Sequence, residues 1–170
     1  SYWLTLHVSI ITGSYGFLGL GAILGLITMI LLALSNSKNY ERIGKTIEEL
    51  TVINYKTLTL GLYFLTIGTF LGAVWANESW GRYWGWDAKE TWALIIVIAY
   101  SIVLHLRFIP KLRSNFVFSV ASVIGFGSVI MTFVGVNYYL SKGLHSYAAG
   151  DTPVFPLWAW IIIFSTVSMM

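Results

Sequence analysis

The chain has 170 residues, of which 57% are hydrophobic and 10% are charged, with a formal net charge of +3 and no cysteine. A mean hydropathy of +0.77 is too high for a soluble domain of this size and predicts a protein that lies in a lipid bilayer. The small net charge gives no indication of a nucleic-acid partner. A chain without cysteine supplies neither a disulfide nor thiol chemistry of its own.

Five apolar segments are candidates for membrane-spanning helices, because about 20 apolar residues cross a hydrocarbon core of about 30 Å. In chain order they are Ser9–Leu34, Leu58–Ala76, Trp92–Leu106, Phe116–Leu140 and Pro156–Met170. We therefore predict an all-α fold, a polytopic transmembrane helical bundle that forms a single domain over residues 1–170 and carries a tryptophan-rich interfacial loop outside the membrane. The last segment, of about 15 residues, is short for a full crossing, and the chain begins with Ser1. We therefore expect the chain to be a fragment or one part of a longer polypeptide.

The basic residues of the connections predict the orientation of the bundle, because cytoplasmic loops carry an excess of lysine and arginine. The connections after the first and third spans hold seven such residues, and the alternate connections hold three. The first group is Lys38, Arg42, Lys45, Lys56, Arg107, Lys111 and Arg113, and the second is Arg82, Lys89 and Lys142. The tryptophan-rich loop, His145 and the start of the first span with His7 are therefore predicted to face the periplasm, the lumen or the cell exterior.

Five of the eight tryptophans lie between Trp75 and Trp92. Trp80 and Trp84 are four residues apart, so a short interfacial helix would place both rings on one face. Such a flat platform suits a planar, mostly apolar macrocycle with polar substituents. An ordinary aromatic belt at the membrane surface accounts for the same rings, and the residues alone leave both interpretations open.

Asp87 and Glu90 stand just before the third span. Two neighbouring carboxylates are typical of general acid–base chemistry, but their three-residue spacing is also that of a capping box, and both charges suit a helix N-terminus. We favour the capping interpretation. It is compatible with a binding site, since a fixed helix start also fixes the tryptophans that precede it.

The three histidines suggest a more specific function than the tryptophans or the carboxylates do, because an ionisable group in or beside a membrane span is a functional candidate. His105 lies inside the third span, about 20 Å below the outer surface at 1.5 Å per residue, and is not expected to reach the other two. His7 and His145 share the outer face and bracket the tryptophan loop, as two axial ligands of one haem iron would. Snorkelling polar residues, or a zinc site completed by Glu78, Asp151 or another chain, are the alternatives.

The run from Gly72 to Ile95 closely resembles the tryptophan-rich signature of the CcsA/ResC cytochrome c biogenesis proteins, in the haem-handling WWD superfamily. Three further segments resemble the histidine segments of that family: Trp3–Ser9, Tyr100–Arg107 and Gly143–Tyr147. Nearly the whole chain is covered, and it resembles the C-terminal core of the longer family protein. Ala88 stands where the family commonly has proline, a small structural change at the first turn of a helix.

The resemblance implies a site for haem b, as substrate or ligand, on the outer face, with His7 and His145 as axial ligands. It implies that the tryptophan loop holds the macrocycle, through Trp80, Tyr83, Trp84, Trp86, Asp87 and Trp92. It also implies a second haem position with His105 as one ligand and a partner ligand from a CcsB/ResB-type membrane subunit or fused domain. Arg82, Lys89 or Lys142 are candidates for pairing with the haem propionates.

The function implied by this resemblance is that of a cytochrome c haem lyase or synthase component of system II, in a bacterial inner membrane or a thylakoid. Its expected partners are membrane lipid, apocytochrome c with its Cys-x-x-Cys-His segment, and a thioredoxin-like reductant protein. Three alternatives remain: a haem transporter or chaperone like the CcmC branch of the same superfamily, a b-type electron-transfer cytochrome, and a structural membrane subunit.

Overall fold

A computed structural model of the protein describes residues 1–140, 144 and 145. Its long helices are α1 (Tyr2–Leu34), α2 (Tyr40–Trp80), α3 (Ala88–His105) and α4 (Asn115–Ile130). A 3-10 turn, Leu106–Phe108, follows α3, and α4 continues through a π-helical segment, Met131–Gly135, into a last turn, α5 (Val136–Tyr138). The predicted fifth span, Pro156–Met170, lies outside the described residues.

Within the described residues, four helical segments are long and apolar enough to cross a membrane. They are Tyr2–Leu34, Glu41–Trp80, Ala88–Phe108 and Asn115–Tyr138. The all-α fold class predicted from composition is thereby confirmed, and the chain is a helical membrane bundle. Because a helix satisfies its own backbone hydrogen bonds, this is the architecture that a chain of such hydropathy adopts in lipid.

The first two helices extend beyond the predicted spans. α1 begins at Tyr2 rather than Ser9, and α2 begins at Tyr40 rather than Leu58. The polar stretch assigned to a connection is helical because one of its faces packs against the bundle: Ile47, Thr51 and Asn54 are at most 5% exposed. Several basic residues of the connection therefore lie on α2 itself.

Glycines allow α1 and α2 to pack closely as an antiparallel pair. A β-carbon built on Gly61 would lie 2.7 Å from a terminal carbon of Leu18, and one on Gly68 would lie 2.8 Å from Ile11. On α1, Gly21 in turn accommodates the side chain of Leu58 from α2. Small residues at such an interface bring the backbones together where lipid provides no hydrophobic driving force.

Apolar residues of all four long helices meet in one core. Its fully buried members are Leu18, Leu58, Leu65, Ile96, Tyr100 and Phe118. Because α1 runs antiparallel to α2, and α3 to α4, the start of α1, the end of α2, the start of α3 and the end of α4 lie at one end of the bundle. We call it the tryptophan end, and we call the opposite end, with Lys38 and Arg107, the basic end.

Gly25 lies where α1 meets α4, and an added β-carbon would lie 2.9 Å from the backbone oxygen of Ser119. Gly127 on α4 has nothing within 4 Å of such an atom. We expect Gly25→Ala to lower the free energy of unfolding by about 1 to 3 kcal/mol relative to Gly127→Ala, because the backbone of Ser119 cannot move aside as a flexible side chain can. Reversible unfolding in detergent with increasing dodecyl sulfate measures the difference, and equal stability of the two variants would contradict the packing described.

Candidate functional site

A cavity opens at the tryptophan end, between the ends of the four long helices. α1 contributes Leu4, His7, Val8, Ile11, Thr12 and Tyr15, and α2 contributes Thr69, Gly72, Ala73 and Trp75. The remaining lining residues are Tyr83, Trp84, Lys89, Glu90, Ala93, Thr132, Phe133, Asn137 and His145. The walls are mainly apolar with a few polar groups, the usual composition of a small-molecule site.

His7 projects from α1 towards α2 and is half-buried. Its Nδ1 lies 2.7 Å from the backbone oxygen of Gly68. A carbonyl oxygen only accepts hydrogen bonds, so Nδ1 carries the proton and donates. The lone pair of the neutral ring is therefore on Nε2, the form in which a histidine can ligate a metal.

His145 is held in a comparable way by Asp87. Its Nδ1 is hydrogen-bonded to Asp87 Oδ2, and the two side chains are 14% and 7% exposed. The ring stands perpendicular to that of Trp80, with 4.7 Å between centroids, and lies 5.9 Å from that of Trp75. Because a carboxylate accepts, the donor is again Nδ1, and the lone pair of the neutral ring is on Nε2. Carboxylate–histidine pairs of this kind orient metal ligands in many proteins.

The carboxylates of Asp87 and Glu90 form the predicted capping box. Asp87 Oδ1 accepts from the backbone N–H of Glu90 at 3.0 Å, and Glu90 Oε2 accepts from the N–H of Asp87 at 3.4 Å. Glu90 Oε2 also accepts from the N–H of Gly85 at 2.6 Å. These bonds fix the start of α3 and fold the preceding loop onto it.

One potential metal-ligating group is found among the described residues: Asp87, Glu90 and His145, whose ligand atoms lie within 4.8 Å of one another. The zinc alternative invoked Glu78, which is exposed on α2 and is not part of this group. Asp151, its other candidate ligand, lies outside the described residues.

The short helix that would place Trp80 and Trp84 on one face is not formed. Gly81, at φ +71°, ends α2 in a left-handed conformation, with its N–H bonded to the Asn77 oxygen at 2.9 Å. Trp80 is therefore the last residue of α2 and packs on His145, whereas Trp84 lies in the loop and lines the cavity. The rings of Trp75 and Trp80 stand at 67° to each other, so they form a wall and not a flat stack.

The other loop residues differ in their position. Tyr83 lines the cavity and is 60% exposed, and Trp86 is 70% exposed with φ +57°. Trp86 meets Trp84 edge to face at 5.7 Å. Trp92 is half-buried on α3 and is not among the residues that line the cavity.

His105 lies away from this site, as the sequence predicted. It ends α3, about 26 Å from Ala88 at 1.5 Å per residue. It is exposed, with Nδ1 2.6 Å from the Ser101 oxygen and its ring 5.6 Å from that of Phe108. The structure thus brings His7 and His145 to one cavity and leaves His105 near the basic end.

Of the predicted cations, Lys89 lines the cavity. The guanidinium of Arg82 lies over Gly85, where an added β-carbon would be 2.7 Å from its Cζ. Lys142 is outside the described residues.

Sequence reasoning gave no role to several residues that shape the cavity. Trp75 and Gly72 belong to the signature run, which indicated that they are part of the site. The sequence did not indicate what either residue does there. Thr132 and Phe133 reach the cavity from the π-helical segment. Such segments recur at functional sites, but apolar periodicity does not reveal them.

The sequence profile of the family described as Cytochrome C assembly protein matches residues 1–145. Protein NrfI of Wolinella succinogenes is 53% identical over 151 residues, which are 89% of this chain and 16% of that protein. Cytochrome c biogenesis protein CcsA of Chlamydomonas reinhardtii is 40% identical over 149 residues, 86% of this chain and 41% of its own. CcsA of Parasynechococcus marenigrum is 38% identical over 171 aligned positions, which cover 86% of this chain and 55% of that protein. The chain thus spans about half, or much less, of the length of these curated relatives.

Asp87→Ala removes both the cap of α3 and the bond to His145, and we expect it to lower the free energy of unfolding by about 1 to 2 kcal/mol. Asp87→Asn should retain most of that stability, because asparagine caps a helix as well as aspartate does. Ser114→Ala is the matched control: Ser114 Oγ accepts from the Val117 N–H at 3.2 Å and caps α4 alone. Unfolding in dodecyl sulfate compares the three, and an Asp87→Asn variant as unstable as Asp87→Ala would contradict the capping role.

Proposed function

Since the chain belongs to the cytochrome c assembly protein family, we propose that it acts in cytochrome c biogenesis by holding haem b between His7 and His145 at the tryptophan end of the bundle. The haem is the substrate that is presented for attachment to apocytochrome c. This role is that of a haem lyase or synthase component. The proposal concerns the part of the protein that this chain represents.

One observation carries the proposal. His7 on α1 and His145 beyond α5 line the same cavity, and the Nδ1 of each ring is engaged by an oxygen acceptor. Both rings therefore keep the Nε2 lone pair for a metal, which is the arrangement that axial ligation of a haem iron requires.

The other lining residues fit a porphyrin. Ile11, Ala93 and Phe133 supply apolar wall, and Lys89 supplies a cation that suits a propionate. Trp84 Nε1 is buried and has no hydrogen-bond partner among the described residues, so it is a donor that a bound carboxylate would satisfy. Tyr83 and Trp86, both largely exposed, would border the edge at which apocytochrome arrives.

The chemistry of the bound haem is the addition of two cysteine thiols across its vinyl groups. In each addition the sulfur bonds to the vinyl carbon next to the ring and the thiol hydrogen ends on the terminal carbon, so no electrons are gained or lost overall. The carboxylates of Asp87 and Glu90 are engaged in the cap and in the bond to His145, so this chain contributes orientation. Positioning alone removes about 7 to 11 kcal/mol of a barrier in favourable cases.

Three features of the proposal extend beyond the cavity. A second haem position would use His105 near the basic end, with its other ligand from a CcsB/ResB-type subunit or fused domain. The thiols would be kept reduced by a thioredoxin-like protein, since this chain has no cysteine. The histidine of the Cys-x-x-Cys-His segment would then displace one axial ligand and draw the product away.

The tryptophan end is proposed to face the periplasm, lumen or exterior, because the basic residues gather at the other end. Ser37 and Ser79 are both exposed, one at each end, and the chain has no native cysteine. In sealed right-side-out membranes we expect Ser79→Cys to react with an impermeant maleimide and Ser37→Cys to react only after permeabilisation. The reverse pattern would overturn the orientation.

Replacement of the two histidines tests the ligand assignment. In protein purified with its native partner, we expect His7→Gly and His145→Gly each to remove the part of the low-spin bis-histidine absorption of reduced haem that the cavity contributes, and added imidazole to restore it by entering the vacated space. Asp87→Asn should weaken haem binding by about 10- to 100-fold, as loss of an outer partner of a metal ligand does. Unchanged spectra in both glycine variants would overturn the ligand assignment.

Attachment of haem distinguishes a synthase from a transporter. Purified protein with its partner, reduced haem and apocytochrome c should yield a product whose haem stays covalently bound after acid–acetone extraction. Haem binding without covalent product would support the transporter alternative and overturn the synthase role.

A further inference from the structure

We infer that Gly72 is a positioning residue for His7, because the space left by its missing side chain is where the imidazole ring lies. The inference rests on the proposed function, in which His7 binds the haem iron. It assigns a role within the haem site to a residue that carries no ligand atom.

The contact between Gly72 and His7 is close. A β-carbon built on Gly72 would lie 2.6 Å from His7 Cε1, 2.7 Å from Nδ1 and 3.2 Å from Nε2. Real β-carbons essentially never come within 3.0 Å of a neighbouring heavy atom. A side chain at position 72 therefore excludes the ring from its present position.

His7 has little freedom to move aside. The ring is tied to α2 by the bond from Nδ1 to the Gly68 oxygen, one helical turn before Gly72. Gly68 itself lies under Ile11, so the α1 backbone is held at the same level of α2. Displacement of the ring breaks the Nδ1 bond, and this bond is what leaves Nε2 as the acceptor.

The register of α1 on α2 brings His7 to this position. Leu18 lies over Gly61, Ile11 over Gly68 and His7 over Gly72, so the pairings advance by seven and then four residues on both helices. In the first two pairs the glycine accommodates an aliphatic side chain. In the third the same space accommodates the imidazole of His7, a residue that lines the cavity.

A matched set of alanine substitutions on α2 tests this role. Gly72→Ala meets the His7 ring, Gly61→Ala meets Leu18 Cδ2 at 2.7 Å, and Gly44→Ala meets nothing within 4 Å. We expect Gly72→Ala to raise the dissociation constant for haem by about 10- to 100-fold, as loss of an outer partner of a metal ligand does. Gly61→Ala should crowd the helix pair to a similar degree without this effect.

The His7→Gly background separates positioning from general damage. There Gly72→Ala should have no further effect on haem binding, and added imidazole should restore the low-spin spectrum equally with glycine or alanine at position 72. A free imidazole can shift by a few tenths of an ångström, whereas the tethered His7 cannot. A Gly72→Ala effect of the same size with and without His7, or an equal loss in Gly61→Ala, would overturn the inference.

A measurement without haem tests the placement directly. The chain has three histidines, so ¹⁵N-histidine labelling gives few side-chain signals, which single His→Gly variants assign. In haem-free protein, Gly72→Ala should shift the His7 nitrogens away from the Nδ1-protonated pattern and leave His105 unchanged. If His7→Gly itself leaves haem binding intact, the proposed ligand role fails. If that variant loses haem while Gly72→Ala behaves as wild type, the positioning role alone fails.

Discussion

The carboxylate of Asp87 links the two parts of the site, because each of its oxygens has a different partner. Oδ1 accepts a hydrogen bond from the backbone N–H of Glu90 and caps α3. Oδ2 is hydrogen-bonded to the ring of His145, which is 58 residues further along the chain. The position of His145 is therefore defined relative to a helix terminus, and Glu90 returns a hydrogen bond to the same backbone. A capping box satisfies two backbone N–H groups at the start of a helix. Here it also determines the position of a candidate metal ligand.

The other histidine is positioned by a different physical mechanism. His7 lies within α1, and its place follows from the close approach of two helices and from one bond to a backbone carbonyl of α2. The site thus combines a side chain fixed by electrostatic pairing with one fixed by steric packing. In each case Nδ1 donates to an oxygen acceptor, so the lone pair of the neutral ring is on Nε2. Two rings held independently can keep a constant separation, which a rigid planar ligand between them requires.

Much of this arrangement could be predicted from the sequence, and the rest depends on information that apolar patterning lacks. Hydropathy indicated the helices, and the spacing of Asp87 and Glu90 predicted the capping box that the structure contains. The i, i+4 spacing of Trp80 and Trp84 suggested a shared helix, but the left-handed Gly81 ends α2 between them. The first part of α2, residues 40–57, was assigned to a connection because it carries many charged residues. Only a few of its residues, such as Ile47 and Thr51, are buried against the bundle. The space at Gly72 and the π-helical segment arise from tertiary packing, and a single sequence does not show which residue lies opposite a glycine.

The location of the cavity at one end of the bundle is consistent with the proposed substrate. Haem has a wide apolar face and two carboxylates, so a site in the middle of the bilayer would have to bury two negative charges. At the tryptophan end, Ile11 and Phe133 can cover the ring while Lys89 and the loop remain close to water. The same argument applies to His105, which lies near the opposite end of α3 and not at its centre. Each proposed haem position thus lies towards one end of the helical bundle, and the apolar interior between them consists of packed side chains such as Leu65 and Tyr100.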